Sequence, residues 1–324
     1  MGESEFRIVV PVRNGGVRWA EAAQSLADSV ADAADVVVID SESIDDSAAV
    51  ASRHGFVLHQ IPARTFNHGR TRQEAIQKFA ADRQFVVFLT QDAVLADKNS
   101  IPVLLQSFEE PRVAAAFGRQ LPHSGAQPFE AHAALFNYAA GSETRTLADA
   151  TRLGIKTAYF SNSFAAYRVS ALQYSGGFPD HLILGEDVYV AMRMLIAGMA
   201  LRYCAEATVR HSHDYTVRQE MARYFDFGVM HSQIPELLNT FGEPDGEGMA
   251  FVLSELRFIL RHSPLRCLQW PVRNAAKYMG YRLGRSYRML PKGLVRRLSM
   301  TKVYWDSSIP TLQPDLRTRP SGNT

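Results

Sequence analysis

Phe85-Val86-Val87-Phe88-Leu89, an unbroken apolar run of β-branched and aromatic residues, constrains the fold more than any other segment of this chain. A strand of this kind has no polar side to offer to solvent, so it must be covered on both faces. Thr90-Gln91-Asp92-Ala93 follows at once. Ligands of open α/β sheets bind beyond the carboxyl ends of the strands. Asp92 therefore stands where a carboxylate holds a divalent cation against a phosphate. A solvated Asp that only starts a turn fits the same position.

The surrounding pattern supports an α/β fold. Residues 6–12, 36–40 and 57–61 read as further strands. Helical spacing separates them over 19–31, from the polar turn 41–46 to about residue 54, and over 71–81. Strands alternating with helices predict βαβ units and a mostly parallel central sheet flanked by helices. The second half is less regular. Residues 113–120, 159–167 and 201–209 are strand-like, and Gly185-Glu186-Asp187 opens a helix through 199. Beyond 216 the pattern is helical, broken at 242–246. The tail after Trp305 is rich in Pro, Ser, Thr and Arg and is expected to be disordered.

At 324 residues the chain can bury a full core. Its net charge of +2 conceals an asymmetry. Residues 256–305 hold 12 of the 35 Lys and Arg and no acidic residue, which leaves 23 basic against 33 acidic elsewhere. Two distant cysteines give neither a disulfide framework nor a zinc site and fit a reducing compartment. The polar N-terminus does not read as a signal peptide, and no stretch reaches the roughly 20 apolar residues that span a bilayer. The expected location is cytoplasmic, either soluble or attached to a membrane from one side.

Four other constellations bear on chemistry. Asp40 ends the second strand, where it suits a nucleobase imino group or ribose hydroxyl, or merely serves the turn. Phe66-Asn67-His68-Gly69-Arg70-Thr71-Arg72 precedes a helix, whose N-terminus favours anions while Arg72 suits phosphate. It is neither a Walker loop nor a dinucleotide fingerprint. Glu186 and Asp187 answer the helix dipole, or one of them is a general base. Only one can face a ligand, since helix neighbours point about 100° apart. His211 and His213 share one side of an extended segment, suiting a metal or a diphosphate, or simple packing.

In this order the segments resemble the inverting glycosyltransferase family 2, of GT-A fold, and within it bacterial rhamnosyltransferases of O-antigen and other surface polysaccharides. The resemblance covers about residues 6–229. It rests on Val10-Pro11-Val12-Arg13-Asn14, Val38-Ile39-Asp40-Ser41 with Asp45, Phe66-Asn67-His68-Gly69 with Thr71-Arg72, and Thr90-Gln91-Asp92-Ala93. Gly176-Gly177-Phe178, Gly185-Glu186-Asp187, His211-Ser212-His213 and Arg223-Tyr224-Phe225-Asp226 continue it. It implies that Pro11, Arg13, Asp40, His68, Arg72, Gln91 and Asp92 bind the nucleotide sugar, with Arg72 approaching the diphosphate. Asp187 would be the catalytic base, supported by Glu186. Asp92 takes the last position of the family's DxD motif, with His211 or His213 completing a site for Mg2+ or Mn2+. Thr90 replaces the first acid of that motif, so the metal rests on fewer carboxylates. The implied reaction is inverting transfer from dTDP-β-L-rhamnose to a glycan, lipid-linked or free. A UDP-sugar donor is the alternative, as is a non-catalytic nucleotide-sugar-binding protein.

The organisation read from the chain is a catalytic domain over 1–225, a basic helical extension over 226–306, and the tail 307–324. Arg and Lys interleaved with Trp270, Tyr278, Tyr281 and several leucines suit an anionic membrane surface on the inner face of the plasma membrane. The alternative is a charged outer face on helices that pack against the acidic body. Nucleic acid is not expected as a partner, since no recognition motif accompanies the charge. A homodimer is left open.

Overall fold

The computed structural model describes residues 5–306, so the tail expected to be disordered lies outside the described residues. One sheet holds β1 (Phe6–Val12), β2 (Val36–Asp40), β3 (Val57–Gln60), β4 (Phe85–Leu89), β5 (Val94–Leu95), β6 (Val113–Leu121), β7 (Glu143–Arg145), β8 (Phe164–Arg168) and β9 (Ala200–Arg210). The order is β3-β2-β1-β4-β8-β6-β9-β5, with β7 also paired to β9. β1 to β4, β6 and β9 run in one direction, while β5, β7 and β8 run against it. The sheet is thus parallel through its first half and mixed beyond β4, where β8 enters reversed.

Period-two alternation divides the core into two layers. Ile8, Val10, Val12, Val36, Val38, Val87 and Leu89 face one layer, closed by Trp19, Ala22, Ala23 and Leu26 of the helix Gly16–Ala27. Val9, Val37, Ile39, Val86 and Phe88 face the other, closed by Ala75 and Ile76 of the helix His68–Phe79 and by the helix Glu186–Ile196. β4 is buried along its whole length, as its composition requires.

Several element boundaries differ from the sequence reading, and two of them bear on the site. The helix expected over 71–81 begins at His68, because the Asn67 side chain caps it by accepting from the Arg70 N–H at 2.9 Å. The strand expected over 159–167 begins only at Phe164. Its first residues leave the sheet, and the Asn162 N–H donates to the Asp187 carboxylate instead of to a neighbouring strand.

The basic region is built into the body. The helix Trp270–Arg285 lies along the helix Val217–Gln233, with Gly280 and Gly284 against the backbone at Met221 and Phe225. Buried Arg273 pairs with Glu220 at 3.0 Å, and buried Lys277 pairs with Glu255 at 2.9 Å. Part of the positive charge is therefore turned inward onto buried acids, Glu220 of the body and Glu255 of the helix Asp245–His262. Asp226, fully buried, accepts from the Met300 and Thr301 N–H groups. Among the described residues no helix is long and apolar enough to cross a membrane.

Candidate active site

The carboxyl edge of the parallel strands carries the first two groups of candidate residues. Val12 pairs with Asp40 across β1 and β2, so Pro11, Arg13 and Asp40 lie together at that edge. The Asp40 carboxylate is fully buried: one oxygen accepts from the Ser43 N–H at 3.3 Å, and the other has no partner. A buried carboxylate oxygen without a donor is costly, and a ligand N–H or hydroxyl would satisfy it. Gln91 faces the same edge and accepts from the Arg13 N–H at 2.7 Å. Asp45 is occupied structurally, accepting from the Gly16 and Ser47 N–H groups.

Beyond β4 and β9, Asp92, His211 and His213 converge. His211 Nε2 lies 3.4 Å from one Asp92 oxygen and His213 Nδ1 lies 3.5 Å from the other. Their ligand atoms all fall within 4.8 Å of one another. Donors around an ion bound at about 2.1 Å sit roughly 3.0–3.4 Å apart, so the cluster fits a small divalent cation. His211 Nδ1 lies 2.8 Å from the Gln120 side-chain oxygen. Donation from Nδ1 to that acceptor leaves the Nε2 lone pair directed at the site. Gln120 is fixed in turn by donating to Ser161 at 2.9 Å. Burial, reinforced by His211, pushes His213 down to about 4, so its imidazole is neutral near pH 7. Burial works against the charge on Asp92, yet the two adjacent histidines, His211 foremost, hold its carboxyl well below the usual carboxylate range. Both histidines reach Asp92, where the sequence reading left open which one did. Two imidazoles thus stand where Thr90 withholds a carboxylate.

A cavity of about 360 Å³ adjoins this cluster. Its walls include His68, Arg72, Thr90, Asn162, Glu186, Asp187 and Arg223, with Ile155, Tyr159, Phe227, Met230 and Leu237 on its apolar side. Pro11, Arg13, Asp40, Gln91, Asp92 and the two histidines are not among its lining residues. Thr90 and Arg223 join the two regions, Arg223 through its effect on His213.

Glu186 and Asp187 part company here. Glu186 is buried and ion-paired to Arg72 at 2.8 Å, which, with His68, keeps it ionised despite burial. Asp187 accepts from the Asn162 N–H at 3.0 Å but has no cationic partner among the described residues. Burial, and then the neighbouring Glu186 charge, push it up to about 6. Asn162 spans both acids, since its side-chain amide also donates to Glu186 at 3.2 Å. Tyr167 holds it by donating to its amide oxygen at 2.7 Å.

Two features were not foreseen in the sequence. Arg72, expected near a diphosphate, lines the cavity and also donates to Glu186 and to the His68 carbonyl. Gly69 is closely approached by Pro179, whose carbonyl would collide with any Cβ there. Arg223 and Asn162 received no individual role from the sequence. Arg223 has no hydrogen-bond or ion-pair partner among the described residues and lies over the Phe227 ring. Its place within Arg223-Tyr224-Phe225-Asp226 was the available signal, whereas Asn162 had none.

Comparison with known proteins agrees with this arrangement. The family model described as glycosyl transferase family 2 matches residues 7–176. The chain is 44% identical over 303 residues to the O-antigen chain rhamnosyltransferase WbaN of Salmonella anatum, covering 93% of this chain and 96% of that protein. It is 42% identical to the O-antigen chain rhamnosyltransferase RfbN of Salmonella typhimurium, covering 94% and 96%. The mannosyltransferase PcManGT of Pyrobaculum calidifontis, solved with GDP-Man and Mn2+, superposes with a TM-score of 0.52 at 14% identity, covering 94% of this chain and 86% of that one. TarS of S. aureus, residues 1–349, gives 0.54 at 18% identity, covering 93% and 85%. At these identities the two structures bear on the fold alone, and the fold is of the GT-A type.

Proposed function

The chain belongs to glycosyl transferase family 2 and is a glycosyltransferase; from that premise we propose that it transfers L-rhamnose from dTDP-β-L-rhamnose to a hydroxyl of a lipid-linked glycan in O-antigen assembly. The names of the two Salmonella relatives support the sugar and the polymer. The observation that carries the chemistry is the divergence of Glu186 and Asp187 within one cavity. Arg72 neutralises the first and leaves the second a buried base of raised pKa. A base tuned near the working pH is the efficient one for removing a hydroxyl proton.

In this reading the acceptor oxygen attacks the anomeric carbon while its proton passes to Asp187. The bond from that carbon to the β-phosphate oxygen breaks, and the nucleoside diphosphate departs with the electron pair. One displacement inverts the β-linked donor to an α-linked product. Asp40 would accept from the thymine imino group through its unpartnered oxygen, with Pro11, Arg13 and Gln91 bordering the base. Asp92, His211 and His213 would hold Mg2+ or Mn2+, whose charge offsets that of the leaving diphosphate. Arg223, uncommitted and beside His213, would meet the same charge, while Arg72 and His68 act at the cavity wall through Glu186. The expected location is the inner face of the plasma membrane, where a lipid-linked acceptor can be met.

Thermal-shift and donor-hydrolysis assays across a panel of nucleotide sugars, with Mg2+ or Mn2+, test the donor. Stabilisation and turnover with dTDP-rhamnose are expected. A response to UDP-hexoses alone would reject the rhamnosyl reading.

A further inference from the structure

The helices Asp245–His262 and Trp270–Arg285 form a hairpin through the turn Pro264–Gln269, and several of their apolar side chains are exposed. Glu255 fastens the two together, accepting from Asn274 at 2.7 Å and Lys277 at 2.9 Å. Arg273, Lys277, Gly280 and Gly284 form the inward stripe of the second helix. On the opposite stripe Val272, Tyr278 and Met279 are each more than half exposed, and Leu253 and Leu260 of the first helix are about half exposed. The turn between the helices presents Leu265 and Leu268, 91% and 85% exposed. Apolar side chains so concentrated around one hairpin mark an interaction surface rather than ordinary scatter.

From residue 256 onward the charge around them is of one sign. Arg257, Arg261, Arg266 and Arg282 lie along the same segment and have no carboxylate partner among the described residues, and 256–305 contains no acid. We propose that this hairpin seats the protein on an anionic lipid bilayer. Leu265 and Leu268 enter the boundary between headgroups and acyl chains, and the arginines meet lipid phosphates. The inference deepens the reading above and rests on it for the lipid-linked acceptor. A second copy of the chain is the poorer occupant, since like faces would bring arginine against arginine. Pro244, just ahead of the first helix, lines the cavity. The hairpin therefore starts at the rim of the site, and seating it brings that rim to the membrane.

The test is co-sedimentation of the full chain with vesicles of phosphatidylethanolamine and phosphatidylglycerol, against vesicles of phosphatidylcholine alone. Wild type should bind the first, release on raising salt, and bind the second weakly. Leu265→Ser with Leu268→Ser, and separately Arg261→Ser with Arg266→Ser, should each weaken binding by about tenfold or more. Both variants should keep wild-type donor hydrolysis without vesicles, which also shows that they fold. The proposal is overturned if wild type ignores anionic vesicles at low salt, or if the leucine variant binds as wild type does. It is equally overturned if the face proves to be a dimer contact, seen as a wild-type dimer that the leucine variant makes monomeric. Absence of donor turnover in every form would instead reject the glycosyl-transfer reading and leave the vesicle result standing.

Discussion

Adjacent carboxylates usually share an environment, but Glu186 and Asp187 point to different sides of one helix turn and meet different partners. Arg72 takes Glu186, and burial, together with the Glu186 charge so fixed, raises Asp187. Asp187→Asn should lower kcat by about two to four orders of magnitude, the usual worth of a general base, with donor affinity retained by calorimetry. The pH dependence has a definite sign. As the proposed base Asp187 would act unprotonated, so kcat/KM should rise as pH increases through about 6 and level off above. A flat profile from pH 5 to 8, buffered at about constant ionic strength, would remove Asp187 from the base role. The sequence displays the two acids, but Arg72 lies 114 positions from Glu186, and no local pattern reports such a pairing. His211 was legible as a candidate ligand; the Gln120 contact that orients it was not, because β6 and β9 come together only in the folded sheet.

At the scale of elements, local chemistry was a good guide wherever the pattern was self-contained. β1, β2 and β4 match their apolar runs residue for residue, since a strand covered on both faces needs nothing else to define it. β8 was misjudged at its start because the aromatic pair Tyr159-Phe160 reads as the opening of a strand, whereas residues 159–163 line the cavity. The pairing of the helices Val217–Gln233 and Trp270–Arg285 depends on missing side chains. A Cβ at Gly284 would collide with the Phe225 carbonyl, so Gly284→Leu should destabilise the fold by about 1–3 kcal/mol, read by chemical denaturation. Gly293, whose Cβ would meet open space in the helix Lys292–Leu298, is the control: Gly293→Ala should stabilise by about 0.5–1 kcal/mol.

For the molecule as a whole, the sequence displays a shift in charge over 256–305, but not how that segment joins the rest of the fold. Arg273 and Lys277 count toward the excess of cations in the sequence and yet face Glu220 and Glu255 inside the fold. Asp226 receives residues 300 and 301. Gln233 donates to Tyr304 and accepts from the Ile183 N–H, and Tyr304 donates to the His181 carbonyl at 2.8 Å. Deleting residues 299–306 from the full chain should therefore lower Tm and donor turnover together. A deletion that lost vesicle binding and left turnover intact would contradict this linkage.

The Tyr304 hydroxyl reaches a carbonyl only six positions ahead of Asp187. A purification tag, fusion partner or surface tether fastened near residue 306 would therefore pull on the candidate site through Tyr304 and the Gln233 beside it, making that segment a mechanical handle on turnover.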